Sequence, residues 1–85
     1  MPNTATLAYN EDLERFEATG NPGAADVSAN SAKLNHLPMN GMAGDAGEPA
    51  KFTYNHEAPV PDGEYVAVVY FSDGRSAESN PVDFP

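Results

Sequence analysis

The stretch that most constrains this chain is Glu64-Tyr-Val-Ala-Val-Val-Tyr-Phe71. Tyr65 to Phe71 is its only long apolar run, and it is rich in β-branched and aromatic side chains. Pro59, Pro61, Asp62 and Gly63 precede it, and Ser72-Asp73-Gly74 follows it. Pro and Gly fix turn dihedrals and end regular structure, so a short apolar run between them reads as a buried strand. Its place is the centre of a sheet. Side chains alternate along a strand, so an inward Tyr65 brings Ala67, Val69 and Phe71 inward with it. Val66, Val68 and Tyr70 then share the opposite face. An outer face should be polar, and this one is apolar. Two covers are open: residues 20–50 of the same chain, or another subunit.

Eighty-five residues make one small domain with a modest core. The chain has no Cys, so neither a disulfide nor a thiolate metal site can support it. Four cations (Arg15, Lys33, Lys51, Arg75) face thirteen carboxylates, for a net charge of −9. Such a surface repels nucleic acid and anionic lipid, and neither is expected as a partner. It suits a basic protein partner, or simply solubility or a salty medium. No segment approaches the roughly 20 apolar residues of a membrane span. The first residues lack the basic-then-apolar pattern of a secretory leader. The chain therefore reads as a complete gene product made in the cytoplasm.

Taken in order, Thr4 to Tyr9 can form a short strand with Leu7 and Tyr9 on one face. Asn10 offers a helix N-cap, acidic residues fill the first turn after it and Gly20 supplies a stop, so the pattern predicts a helix over Glu11 to Thr19. A strand from Leu13 to Thr19 competes with it. Both readings turn Leu13 and Phe16 into the core. Residues 20–50 are rich in Gly, Pro, Asn, Ala and Ser. Ser31 to Met39 can be a strand ending at Pro38, and Gly41 to Gly47 reads as a flexible loop or an arm laid on something else. Lys51 to His56 alternates cleanly, with Phe52 and Tyr54 on one face. After the central strand comes a turn at Ser72 to Arg75. Ser76 to Phe84 is a last, polar strand that Pro81 interrupts, as in an edge strand or one switching sheets.

Residues 51–84 resemble the last strands of a fibronectin type III or immunoglobulin-like β-sandwich. The resemblance rests on Phe52-Thr53-Tyr54, on Pro61-Asp62-Gly63-Glu64-Tyr65-Val66-Ala67-Val68, and on Asp73-Gly74-Arg75-Ser76-Ala77-Glu78-Ser79-Asn80-Pro81. It implies that Tyr65 occupies the tyrosine-corner position, its hydroxyl bonded back to the corner's backbone. It makes Tyr65, Gly63 and Gly74 structural residues. The first half departs from the family, whose Trp in the first sheet has no counterpart here.

Chemistry is hard to find in these residues. His36 and His56 lack a metal-ligand spacing, and solvated imidazoles are the expectation. Ser72, Ser76 and Ser79 lack a nucleophile elbow. Asp62-Gly63 and Asp73-Gly74 are accounted for by turn formation, without a calcium-ligand run. Glu11, Asp12, Glu14 and Glu17 read as a solvated face. Gly41, Gly44 and Gly47 lack the strand, helix and Lys of a phosphate loop. No catalytic residue, metal or cofactor is expected.

The expectation is an all-β, small immunoglobulin-like sandwich. Residues 51–85 would form a three-stranded core. Residues 1–50 would be an irregular arm, short element and Gly-rich loop that complete or flank it. The expected function is structural: a viral (phage) capsid decoration or cement subunit on the virion surface, clamped to a major capsid protein and possibly homo-oligomeric. Leu7 and Tyr9 on the arm, Met39 and Met42 beside the Gly-rich loop, and Val66, Val68 and Tyr70 are the expected partner-binding residues. The alternative is a fibronectin type III-like binding or spacer module, touching protein, or touching carbohydrate through Tyr54 and Tyr70.

Overall fold

In a computed structural model, which describes residues 2–54 and 61–84, the inward side chains of two antiparallel sheets meet in one core. The described residues form nine strands and no helix. The front sheet has the order β1 (Thr4–Asn10), β2 (Arg15–Asn21), β5 (Ala50–Tyr54). The back sheet runs β4 (Leu37–Pro38), β3 (Ala29–Leu34), β7 (Ala67–Phe71), β8 (Ser76–Glu78). A ribbon of β6 (Gly63–Tyr65) and β9 (Val82–Phe84) extends the β7–β8 hairpin. The protein is thus an all-β small sandwich, and both halves of the chain build it.

Register explains the shape of the core. Directly paired residues across the front sheet give three inward rows: Ala5–Gly20–Ala50, Leu7–Ala18–Phe52 and Tyr9–Phe16–Tyr54. Side-chain size rises steadily from the first row to the third. Along β7 the order is reversed, from Phe71 and Val69 at the small-residue end to Ala67 at the aromatic end, while on β3 small Ala29 and Ala32 pair with Phe71 and Val69 and large Leu34 pairs with Ala67. Each of these back-sheet pairs sets one large side chain beside one small one, and such interdigitation is how packed interiors avoid voids. At the aromatic end Phe16 is fully buried, with the Tyr9 and Tyr65 ring centroids 4.9 Å away and Phe84 at 5.8 Å.

The helix expected over Glu11–Thr19 is not formed. Asn10 does cap a turn, with its Oδ1 accepting from the Leu13 N–H at 3.1 Å. That turn ends after four residues, at Glu14, whose φ is 52°. From Arg15 onward the competing strand wins, because Phe16, Ala18 and Gly20 alternate into the core. Leu13 consequently stands at the hairpin tip, 56% exposed, and not in the core. The strand expected over Ser31–Met39 is broken by a two-residue turn, Asn35-His36, into β3 and β4. Both turn residues have positive φ, 45° and 73°, the signature of a type I′ hairpin.

The central strand also breaks, at Val66. Its N–H donates to Asn35 Oδ1 at 2.9 Å, and its carbonyl accepts from the Asn35 N–H at 3.1 Å. Asn35 Nδ2 donates to the Glu64 carbonyl at 3.0 Å. One side chain thus replaces the ladder where β3 has ended. The last strand is interrupted around Pro81 as expected, and its pairing resumes on β6 one residue out of step.

Gly20 sets the distance between the sheets at the small-residue end. A Cβ added there would lie 2.6 Å from Val69 Cγ1 and 3.1 Å from Ala29 Cβ. We therefore expect Gly20→Ala to force the sheets apart and cost about 1–3 kcal/mol. Urea unfolding followed by circular dichroism checks this, and an unchanged midpoint would contradict the close approach.

Candidate protein-docking face

The two outer faces of the sandwich differ. On the front sheet the outward positions carry Thr4, Thr6, Glu17, Thr19, Lys51 and Thr53. Glu17 accepts from Arg15 Nε at 3.0 Å and Nη2 at 2.8 Å, and Lys51 Nζ lies 3.9 Å away. The hydrogen bond from Arg15 holds the Glu17 carboxyl below its usual value, against a smaller effect of burial. This is a solvated, charge-paired surface.

The back sheet presents Val66, Val68 and Tyr70 outward, while Tyr65, Ala67, Val69 and Phe71 point inward. Alternation along the central strand is therefore as expected. Of the two covers left open for the outer strip, residues 20–50 do not lie over it among the described residues: Tyr70 is 39% exposed, and Val66 and Val68 are half-buried. Residues 29–34 pair with the edge of β7 and do not cross its face. A hollow of about 250 Å³ opens there, lined by Lys33, Asn35, His36, Val66, Val68, Tyr70 and Glu78. Lys33 Nζ sits 5.8 Å from the Tyr70 ring centroid, within reach of a cation–π interaction.

The remaining expected binding residues are placed differently. Leu7 is buried in β1, and Tyr9 packs on Phe16 and Phe84, so residues 4–10 are an element of the sandwich and not an arm. Met39 is half-buried against both parts of the core and acts as filler. Met42 is 88% exposed. The Gly-rich loop that carries it is tied down by backbone bonds. Asn40 and Thr53 exchange N–H and carbonyl at 2.7 Å, the Gly44 N–H donates to the Ala29 carbonyl at 2.8 Å, and the Gly47 N–H donates to the Val27 carbonyl at 2.7 Å. Tyr54 lies on the core side of the front sheet, so Tyr54 and Tyr70 do not share a surface.

Turn residues hold the face in place. Gly74 has a φ of 82° in the β7–β8 turn, where its N–H donates to the Phe71 carbonyl at 3.1 Å. Gly63 opens β6 at φ 154°. Asp73 accepts from the Arg75 N–H at 3.0 Å and from Asn3 Nδ2 at 3.1 Å. These bonds, the backbone one first, keep its carboxyl below the usual range. A second hollow of about 220 Å³, lined in part by Asn3, Asp73 and Arg75, lies beside this turn. Both hollows fall below the roughly 300 Å³ at which small-molecule pockets begin. Among the described residues no group of three His, Cys, Asp or Glu could hold a metal ion. His36 stands on the rim of the larger hollow, and His56 lies outside the described residues with the corner at 58–60. Sequence reasoning counted Lys33 among the cations and Glu78 among the hairpin carboxylates but placed neither at this face, because only the pairing sets them beside Val68. No protein-family model and no curated protein matches this chain.

Tyr65 anchors the start of the central strand. Its hydroxyl donates to the Pro61 carbonyl at 2.5 Å. Burial, with smaller contributions from Tyr54 and Asp62, pushes the phenol above its ordinary value. A raised folded-state value means that this contribution is fully present below the unfolded tyrosine value of about 10 and is lost as pH rises through the folded one. We expect Tyr65→Phe to lower stability at neutral pH by about 1 kcal/mol. The gap between the two proteins should close as pH rises above about 10. Denaturant midpoints across that range read the difference, and a constant gap would deny Tyr65 the role.

His36 occupies the second position of a type I′ turn, where Gly is favoured. We expect His36→Gly to stabilise the fold by roughly 0.5–1 kcal/mol by relieving a φ of 73°. The midpoint in urea checks this, and a decrease would mean that the imidazole makes a stabilising contact.

Proposed function

We propose that this chain is a non-enzymatic structural protein, an accessory subunit that docks non-covalently on a larger protein shell in the manner of a phage capsid decoration or cement protein. The observation that carries this reading is the part-exposed apolar strip Val66–Val68–Tyr70 on the outer face of the central strand. A soluble sandwich normally turns polar side chains outward there, and an apolar strip rimmed by charge marks a protein contact.

The fold supports the immunoglobulin-like part of the proposal. Its first, second and fifth strands form one sheet, and its third, seventh and eighth lie in the other. Immunoglobulin-like domains divide their strands in the same way. The Tyr65–Pro61 bond is the contact that a tyrosine corner makes. Docking would use the sheet face, because the first strand and the Gly-rich loop are both engaged within the sandwich. The partner would be the major capsid protein, with the net charge of −9 keeping the chain off nucleic acid. The site of action would be the outer surface of the virion.

One observation favours a second reading, that of an autonomous fibronectin type III-like binding or spacer module. The N-terminal half supplies four strands of the sandwich from the same chain. Carbohydrate contact through a Tyr54–Tyr70 platform is not part of it, since the two rings belong to different sides of the fold.

The test is co-sedimentation with intact virus particles from the chain's own source. Wild-type protein should travel with the particles at a fixed ratio to the shell protein. A folded Val68→Asp, Tyr70→Ser variant should stay at the top of the gradient. Wild-type protein that fails to travel with the particles would overturn the capsid reading and leave the autonomous module.

A further inference from the structure

We infer that Asn40 is a site of spontaneous deamidation and chain isomerisation, and that its product unlatches the loop over residues 41–47.

Asn is a chemically labile residue because the backbone nitrogen after it can attack its side-chain carbonyl. The new N–Cγ bond closes a five-membered imide. The Cγ–Nδ2 bond breaks, and ammonia leaves with the proton of the attacking nitrogen. Solvent water then opens the ring. Cleavage of the N–Cγ bond gives Asp. Cleavage between the nitrogen and the main-chain carbonyl carbon gives isoaspartate, in which the chain runs through Cβ and Cγ. The reaction asks for a carboxamide not held by a partner and a following N–H not tied up in a hydrogen bond. It also asks for a following residue that leaves the approach open, which Gly does best because it has no Cβ.

Among the described asparagines only Asn40 meets all three conditions. Asn3, Asn35 and Asn80 have both side-chain polar atoms engaged. Asn10 and Asn30 accept hydrogen bonds through Oδ1. Asn21 precedes Pro22, whose nitrogen carries no hydrogen. Asn40 is exposed, and its carboxamide has no hydrogen-bond partner among the described residues. Gly41 follows it, also exposed, with an N–H that donates to no group among them.

The fold itself requires the glycine. A Cβ added at Gly41 would lie 2.8 Å from Phe52 Cδ1 and 2.9 Å from the Lys51 carbonyl oxygen. The reactive pair is therefore built from a glycine held by packing and an asparagine whose side chain the packing does not use.

The backbone of Asn40 has a structural task. Its N–H and carbonyl exchange hydrogen bonds with Thr53 at 2.7 Å each. Isoaspartate turns that carbonyl into a free carboxylate off the chain and inserts one more chain atom before Gly41. The bridge to β5 is lost, and Gly41 shifts off the Phe52 ring. The next anchors along the loop are the Gly44 N–H on the Ala29 carbonyl at 2.8 Å and the Gly47 N–H on the Val27 carbonyl at 2.7 Å. Both depend on where the loop leaves β5. The new carboxylate also adds a negative charge to a chain already at −9.

The experiment ages the full chain in mildly alkaline buffer at physiological temperature, folded and, in parallel, unfolded in urea. Trypsin cuts after Lys33 and Lys51, so one peptide, residues 34–51, carries both Asn35 and Asn40. Electron-transfer fragmentation locates an amide-to-acid exchange and separates isoaspartate from Asp. We expect Asn40 of the folded chain to convert, mainly to isoaspartate, while Asn35 in the same peptide keeps its amide. Hydrogen exchange then reads the loop. The Gly44 and Gly47 amides should exchange about tenfold or more faster in the converted protein. Aged Asn40→Gln should show neither change, because Gln would have to close a six-membered ring. An Asn40 that keeps its amide in the folded chain after the unfolded chain has converted overturns the inference. So does an Asn35 that converts as fast as Asn40 in the folded chain. Conversion that leaves both glycine amides as slow as before overturns the latch.

Discussion

Everything else in this sandwich depends on how closely its two sheets approach at the small-residue end. Gly20 lies where a Cβ would overlap Val69, and the residues paired with it, Ala5 and Ala50, are also small. That row leaves room for Phe71 and Val69 from the back sheet. At the other end Tyr9, Phe16 and Tyr54 share a cluster with Leu34, Tyr65 and Ala67. A chain of this length without disulfides has little apolar surface to bury. A front layer tapered from a small-residue row to an aromatic row, against a back layer that pairs large with small, gives close packing from few large residues.

Closure of the sandwich leaves its edges little freedom. At one side Asn80 acts as a short piece of strand: its Oδ1 accepts from the Leu7 N–H and its Nδ2 donates to the Leu7 carbonyl, both at 2.9 Å. It comes from the connection between β8 and β9, so it ties the end of the chain to the front sheet. At the other side the segment from Met39 to Gly47 crosses from the β4 edge to β5 and bonds to Ala32, Thr53, Ala29 and Val27 on the way. Unpaired edges invite strand addition, and these devices blunt them. What the fold leaves available among the described residues is faces, and of the two described the back one carries the apolar strip. This is why contact through a sheet face is a better reading than contact through an added strand.

Legibility in the sequence followed the source of each hydrogen bond. The central strand and its inward set were readable, because side-chain alternation and turn chemistry both pointed to them, and the bond from the Tyr65 hydroxyl to the Pro61 carbonyl is the one the resemblance implied. The first hairpin was misread, because its cap is real but serves one turn. The alternation Phe16, Ala18, Gly20 is faint, since Ala and Gly carry little strand preference. Residues 41–47 looked loose because their anchors are backbone groups, which leave no trace in side-chain pattern. Asn35 and Asn80 were equally hidden. Each substitutes for a missing stretch of ladder, and nothing local in the sequence distinguishes that from an ordinary loop Asn.

The candidate face was half legible for the same reason. Val66, Val68 and Tyr70 follow from alternation alone. Lys33 and Glu78 require knowing which strands are neighbours and in which register. The acidic balance makes these two more informative than single charges usually are. Of the four cations, Arg15 and Lys51 face Glu17 on the front sheet, and Arg75 is beside Asp73 in a turn. Lys33 lies among the apolar residues of the back sheet, over the Tyr70 ring. A chain with thirteen carboxylates has placed one of its few cations directly across an apolar strip from one of them. For general solubility any surface position would have served. The position it has makes the two flanks of the strip electrically unlike, and a face with unlike flanks can distinguish one docking orientation from its reverse.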